Sequence, residues 1–445
     1  MIKNKLIYFL VSIGDCFFGK LYLKTIKEWN DYDKMSEEKL TNIQNLRLEK
    51  TLRHAKKTIP FYIDYFKDKK YEDITDFPIL TKEILRNEKE KLVSNLFKTE
   101  NLQKNFSSGS SGIQSFSYVE KNYKYFLQGI QTHWFMWNNY QIGDAVLQFG
   151  MSPKRAFPKN IKDILYNVQY VNAFSFYNEN MLLEAKKMIS RKTKFIIGYP
   201  STINEFAKVV IENQLNYKIQ GVITLGDKVF PHFKKNYAAA FFNPKIVDTY
   251  GCAEGLLMAC TDDDGYYNIM SPHVYIEIVD DFGQPVPDGV MGNIAVTSLT
   301  NDAMPLIRYK LGDLAIRLPK ENFPKNRKYN YPLLQKIVGR ETDLVYSNNG
   351  KILNVHSFTG IVEFYLEIKQ FKIIQKEKSS IVFEYITDEN FNFTTEILIQ
   401  IEEKINKLTE NSLEIQFMKV DNIAATPSGK PQIIESYIKN NKIES

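Results

Sequence analysis

Five short segments of this chain hold residue types that can act on a phosphorylated ligand. Ser107-Ser108-Gly109-Ser110-Ser111-Gly112 packs four hydroxyls and two glycines into six residues. Glycines let backbone N–H groups turn inward and hydroxyls add donors, which is the chemistry of a phosphate cradle. No Gly-Lys-[Ser/Thr] closes the loop, which excludes the P-loop of nucleotide hydrolases. In Asp248-Thr249-Tyr250-Gly251-Cys252-Ala253-Glu254-Gly255 a carboxylate follows a buried strand run. A carboxylate at the carboxyl end of a sheet strand can reach a ligand in the crevice there, and the hard oxygens of Glu254 suit Mg²⁺ beside phosphates. Arg308-Tyr309-Lys310-Leu311-Gly312-Asp313-Leu314 sets Asp313 after a glycine turn, able to accept hydrogen bonds from two ribose hydroxyls. Val338-Gly339-Arg340-Glu341-Thr342-Asp343 supplies a rigid guanidinium for ribose, phosphate or a plain ion pair. Thr426-Pro427-Ser428-Gly429-Lys430-Pro431 carries a lysine on a glycine turn. Presented into a cleft, Lys430 can neutralise charge developing on a carboxylate and an α-phosphate. Each segment alone also reads as an ordinary loop, turn acid or solvated charge. Their order gives them weight.

Composition narrows the classes. At 445 residues, with roughly 150 residues per domain, two or three cores are expected. The 44% apolar and 13% aromatic fractions exclude a disordered chain. A net charge of +6 is too small an excess to indicate a nucleic-acid binder. Three cysteines make no disulfide framework, and no Cys-x-x-Cys pair seeds a zinc site. A globular protein of a reducing compartment, cytoplasmic, is the expectation. Near the start, Lys3 and Lys5 precede the apolar run Leu6–Ile13, which Asp15 interrupts. The run is shorter than the ~20 residues a spanning helix needs. A packed N-terminal helix is expected, with a peripheral membrane foot as the alternative.

Periodicity then supplies the elements that must position these groups. Leu40, Ile43, Leu46, Leu52 and Ala55 recur at helical spacing over 37–57, and Thr58-Ile59-Pro60 stops the run. Asp76–Glu83 reads as extended chain leading into a helix capped at Thr81. Short β-rich runs at 145–149, 195–198, 222–225 and 246–250 alternate with helical patterns, which argues for an α/β layer with a largely parallel sheet. Beyond Tyr250 the texture changes to strands at 273–279, 293–297 and 306–310 between turn clusters, the grammar of a β-meander or barrel. After Arg340 strands at 371–375 and 381–385, a helix at 395–408 and a strand at 413–420 form a compact βαβ-like pattern. The economical division is a core of residues 1–339 and a small domain of 340–445.

Taken together and in order, the five segments resemble the motif series of the adenylate-forming superfamily, which activates carboxylic acids with ATP. The serine-glycine loop is similar to its phosphate loop, Tyr250–Glu254 to its Tyr-Gly-x-[Thr/Ser]-Glu motif, and Tyr309–Leu314 to its Tyr-Arg-Thr-Gly-Asp-Leu motif. Gly339–Asp343 resembles its hinge segment and Ser428–Lys430 its C-terminal Ser-Gly-Lys. Lys57–Tyr62 and Phe77–Lys82 narrow the likeness to the phenylacetate–CoA ligase and coenzyme F390 synthetase branch, which includes capsular polysaccharide biosynthesis relatives.

The resemblance implies a large layered α/β domain with a β-barrel lobe and a small mobile α+β lid. It implies Ser107, Ser108, Gly109, Ser110, Ser111 and Gly112 around the β- and γ-phosphates, with Tyr250 and Gly251 beside the nucleotide. Glu254 would hold Mg²⁺, Asp313 the ribose, and Arg340 ribose or phosphate. Lys430 would bridge carboxylate and α-phosphate, and Thr342 and Asp343 would form the hinge. Tyr199, Gly226, Asp227 and His133 are candidate walls of the acid pocket. The implied partners are a small carboxylic acid, ATP, and CoA or an amine as acceptor, with no nucleic acid, at most a peripheral membrane contact, and a homodimer as the assembly admitted. A surface-polysaccharide or secondary-metabolite pathway fits such relatives. Four departures stand out: Ile113-Gln114-Ser115 where x-Pro and often Lys follow, Ala253 for Thr or Ser, Lys310-Leu311 for Arg-Thr, and Thr342 for a charged hinge residue. They keep a catalytically reduced nucleotide-binding or scaffold protein as the alternative. Cys252, Cys260 and His273 are not expected to hold a metal.

Overall fold

The computed structural model describes residues 2–17, 19–106, 116–150, 157–173, 178–226, 228–252, 254–340, 344–362, 364–365, 367–389, 392–424 and 432–438. Local signals in the sequence become real caps. The Ser36 hydroxyl accepts the Lys39 N–H at the start of the Glu37–Thr58 helix, and Thr81 accepts from Ile84 at the start of Lys82–Asn87. Pro60 forces the extended conformation of Ile59 and opens the next helix at its first position.

Strands Val146–Gly150, Val168–Asn172, Phe195–Gly198, Gly221–Thr224 and Lys245–Cys252 pair in parallel. The Phe195–Gly198 and Gly221–Thr224 strands are buried along their whole length, as expected of strands covered on both faces. Alternation divides their side chains between two layers. Phe195, Ile197, Ile223 and Val247 pack with Trp29, Ile130 and Trp134 of the helices Leu21–Tyr32 and Tyr123–Met136. On Val146–Gly150, Phe149 meets Phe206 of the Pro200–Glu212 helix at 5.2 Å between ring centroids.

The strands that read as a meander or barrel lobe continue the same sheet. Lys245–Cys252 pairs antiparallel with Leu256–Thr261, and Tyr267–Ile269, Leu333–Arg340, Tyr309–Arg317, Met291–Ser298 and Val274–Val279 follow in spatial order, making eleven strands. The Lys245–Cys252 strand is therefore the seam: parallel neighbours on one edge, antiparallel on the other.

By its contacts the chain divides into two compact units, the smaller comprising Ile337–Ser445 with Gly312–Ala315. The smaller has its own four-stranded sheet, ordered Glu414–Lys419, Ser380–Thr387, Ile368–Glu377, Ile434–Ser436. Ile373, Phe383, Ile401, Ile405 and Ile434, all fully buried, form its core under the Thr395–Thr409 helix.

Candidate active site

Parallel pairing sets the ends of three strands level. In register, Gly198 lies beside Thr224 and Thr224 beside Asp248, so Tyr199, Gly226 and Tyr250 all emerge from the same edge of the sheet. Tyr199 and Tyr250 are half-buried there and Gly226 is exposed, with φ of +79°. Open α/β sheets bind ligands at this carboxyl edge. The seam strand carries on two residues past Tyr250 and turns back into Leu256–Thr261, with a register shift between Tyr250 and Gly251. Gly251 is required by close approach: a Cβ there would sit 2.7 Å from the Leu256 carbonyl oxygen.

Glu254 lies in that turn and is 5% exposed. Its carboxylate accepts the Tyr309 hydroxyl at 2.8 Å, and its backbone carbonyl accepts the Ser117 hydroxyl at 2.7 Å. Three separate stretches of sequence thus converge on one acid, and two of them, Tyr250–Glu254 and Tyr309–Leu314, are motif segments. Burial, reinforced by the Glu254 charge, pushes the neighbouring Cys252 thiol well above its usual range.

Asp313 differs from expectation. Gly312–Asp313 is not a chain-reversing turn; both residues lie inside the Tyr309–Arg317 strand, where Gly312 holds φ at +86°. A positive-φ glycine within a strand re-aims the residues beside it without ending the pairing. Asp313 is half-buried.

Two polar residues of the quoted segments to which the sequence assigned no role, Asp248 and Arg308, are each held in a network of side-chain hydrogen bonds. Asp248 accepts the Thr224 hydroxyl at 2.5 Å and the Tyr267 hydroxyl, while the Thr249 hydroxyl donates to the Thr224 carbonyl at 2.7 Å. Desolvation raises the Asp248 pKa against these donors and the charge of Lys234. Thr224, the single polar residue closing an apolar strand, is the signal that points to this group. Arg308, 2% exposed, pairs with Glu277 at 3.1 Å and donates to the carbonyls of Thr75 (3.0 Å), Phe77 (3.1 Å) and Gly283. It ties the Asp76–Leu80 segment and a surface turn to the residue just before Tyr309, and Leu80 completes the tie by exchanging backbone hydrogen bonds with Arg308 and Lys310.

His133, a candidate pocket wall by sequence, is fully buried on the Tyr123–Met136 helix instead. Its Nε2 meets Asp33 at 2.8 Å, and Trp137 Nε1 and the Tyr331 hydroxyl also donate to Asp33. Asp33 therefore organises a polar knot inside the core. Arg340 ends the Leu333–Arg340 strand. Ser107–Gly112, Asp227, Ala253, Thr342, Asp343 and Lys430 lie outside the described residues. Of the residues considered for a metal, Cys260 is in the hydrophobic core, and His273 Nδ1 is 2.7 Å from the Thr300 hydroxyl. No group of three or more His, Cys, Asp or Glu side chains able to hold a metal ion occurs among the described residues. A single buried carboxylate such as Glu254 fits Mg²⁺ all the same, because that ion keeps waters and is held mainly by substrate phosphates.

Residues 172–301 match the family of AMP-binding enzymes, a span that includes one motif segment of the five, Asp248–Gly255. A phenylacetate-coenzyme A ligase of Pseudomonas putida is 35% identical over 130 residues, 28% of this chain and 27% of that protein. An indoleacetate–lysine synthetase of Pseudomonas savastanoi is 32% identical over 130 residues, 28% of this chain and 30% of its own. The matched region thus spans less than a third of these relatives. Among solved structures, 2-hydroxyisobutyryl-CoA ligase in its postadenylation state superposes with a TM-score of 0.72 at 16% identity, over 91% of each chain. The amide bond synthetase McbA from Marinactinospora thermotolerans gives 0.51 at 14% identity, over 75% of this chain and 67% of that one.

Proposed function

We propose that this chain, which carries an AMP-binding domain homologous to that of phenylacetate–CoA ligases on the fold of adenylate-forming ligases, is an ATP-dependent carboxylate-activating ligase. The observation that carries the reading is the Glu254–Tyr309 hydrogen bond, which joins two motif segments 55 residues apart at the end of the seam strand.

In the first half-reaction a carboxylate oxygen attacks the α-phosphorus of ATP, forming an acyl-adenylate and releasing pyrophosphate. In the second, a thiol or amine attacks the acyl carbon and AMP leaves. Ser107–Gly112 would cradle the β- and γ-phosphates, and Lys430 would stabilise charge on the α-phosphate and entering carboxylate. Glu254 would hold Mg²⁺, which screens the triphosphate when bound. The Tyr309 hydroxyl fixes one Glu254 oxygen and so orients the carboxylate. Asp313 would take the ribose hydroxyls and Arg340 ribose or phosphate. Tyr199, Gly226 and Tyr250, emerging at one sheet edge, would line the acid and nucleotide crevice. Thr342 and Asp343 would flank the hinge of a C-terminal domain of residues 340–445.

The relatives include both a phenylacetate-coenzyme A ligase and an indoleacetate–lysine synthetase, which supports CoA or an amine as the acceptor. A role in surface-polysaccharide or secondary-metabolite synthesis is consistent with either. The test is carboxylate-dependent exchange of pyrophosphate into ATP across benzoates, phenylacetates, short acyl acids and amino acids. CoA or amino sugars are then added and products weighed by mass spectrometry. Exchange with none of these acids would count against the reading.

A further inference from the structure

The N-terminal helix Ile2–Phe17 has two apolar faces and the fold uses one of them. Ile7 and Val11, 6% and 4% exposed, pack into the core with Tyr22 and Ile26. Asn4 anchors the same side by donating to Asp144 at 3.0 Å. Leu6, Phe9, Leu10, Ile13 and Phe17 recur at the spacing of the opposite face, and they are 57%, 60%, 41%, 43% and 82% exposed. A continuous apolar stripe of this size on a folded protein marks an interaction surface.

Charge identifies the partner. Residues 1–32, the span of the first two helices, contain Lys3, Lys5, Lys20, Lys24 and Lys27 against Asp15, Glu28 and Asp31, a balance of 5 − 3 = +2. Glu28 and Asp31 are taken up by Arg47 at 3.1 Å and Lys34 at 3.3 Å. By the helical period, Lys5, exposed, sits on one border of the stripe beside Phe9. Lys20, Lys24 and Lys27 are exposed on and just before the next helix. Asp15 does not offset them at the surface: it is 7% exposed and its two oxygens accept the Tyr22 and Leu23 N–H groups at 3.0 Å each. A second copy of the chain is a poor occupant, since a two-fold contact sets the same basic surface against itself. An anionic lipid leaflet satisfies both features, taking the apolar side chains below its headgroups and the flanking ammonium groups among them. Among the described residues no single helix is long and apolar enough to cross a membrane. The bent pair Asn4–Phe17 with Leu21–Tyr32 has the length and composition, but Ile7, Val11, Tyr22 and Ile26 are packed in the protein core, which leaves only the outer face for an interfacial contact.

We infer that the outer face of the Ile2–Phe17 helix docks the protein onto the surface of an anionic phospholipid bilayer. The inference does not rest on the proposed ligase chemistry, and its test reads no activity. Full-length protein is floated with vesicles of phosphatidylcholine alone or of an equimolar mixture with phosphatidylglycerol, at low and high salt. The wild type should float with the anionic vesicles, and less so with phosphatidylcholine or in high salt. The triple variant Leu6→Gln, Phe9→Gln, Ile13→Gln should lose about tenfold or more in affinity. It leaves Ile7, Val11 and Asn4 in place, and its circular dichroism and thermal midpoint check that it folds. A second variant, Lys5→Gln with Lys24→Gln, should weaken binding to the anionic vesicles and flatten the salt dependence. Failure of the wild type to float with either vesicle overturns the inference, as does a folded triple variant that floats like wild type. Light scattering that shows a wild-type dimer, made monomeric by the triple variant without vesicle binding, would give the face to a second copy instead.

Discussion

At the scale of single residues, Glu254 and Arg308 have opposite tasks and different substitutions separate them. A carboxylate near triphosphate oxygens is tolerable only with a cation between. Glu254→Gln keeps the shape and the acceptor for Tyr309 but removes the charge. It should lower exchange activity by about 100-fold or more with little change in thermal midpoint. Tyr309→Phe removes one hydrogen bond from the same carboxylate and should cost less, about tenfold, since the charge stays. Equal activity of Glu254→Gln and wild type would remove Glu254 from the metal assignment. Arg308 touches no proposed ligand, and its loss should appear in stability. Arg308→Met strands the buried Glu277 and frees three carbonyls, which should cost about 3–5 kcal/mol in denaturant unfolding. A cost under about 1 kcal/mol would mean that water replaces the guanidinium.

At the scale of elements, the residues that read correctly from sequence are those whose signal is local. Phe195–Gly198 was legible as a strand because four consecutive buried residues leave no helical alternative between a turn and a proline. The Glu37–Thr58 helix announces its start by Ser36 and its end by Ile59-Pro60. What the sequence concealed depends on distant partners. His133 looks like a pocket residue until Asp33, a hundred positions earlier, takes its Nε2. Tyr267 and Thr224 are ordinary strand residues until pairing brings them to Asp248. Gly312 signals a turn locally, but Leu80 pairs with Tyr309 and the chain continues as strand. The same limit applies to the two glycine-bearing segments whose roles rest on resemblance alone. If Lys430 acts only in adenylation, Lys430→Ala should lose exchange by about 100-fold yet still convert a supplied acyl-adenylate with the acceptor. Thr342→Pro fixes one backbone torsion at the proposed hinge and should do the reverse, preserving exchange and stalling transfer. Parallel loss of both half-reactions in Lys430→Ala would make that lysine a structural residue.

At the scale of the whole molecule, two compact units predict two unfolding events, and acid should tell them apart. The described residues of 337–445 share a core of buried aliphatic and aromatic side chains from Val345 to Ile434, the condition for folding as a separate unit. Calorimetry should therefore resolve two transitions rather than one, and the fragment of residues 337–445 should reproduce one of them. The larger unit contains His273, which burial and the charge of Arg47 depress from 6.5 to about 3. Below pH 6.5 the unfolded chain takes up a proton at this site that the folded protein refuses. The contribution of neutral His273 to the stability of the larger unit is thus fully present above that pH and lost as pH falls towards 3, by up to about 1.4 kcal/mol per pH unit. Asp248 and Glu277 act in the opposite sense: desolvation raises both, so the folded form holds their protons more tightly and gains stability as pH falls into their range. The His273 contribution is consequently read as the difference between wild type and His273→Asn, which can keep the hydrogen bond to Thr300 without titrating. Between pH 6.5 and 5 the wild-type transition of the larger unit should shift downward relative to the variant's, while that of the 337–445 unit should coincide in the two proteins. If both transitions diverge between wild type and variant, the two units unfold as one cooperative body. If neither does, His273 takes its proton inside the folded protein without penalty.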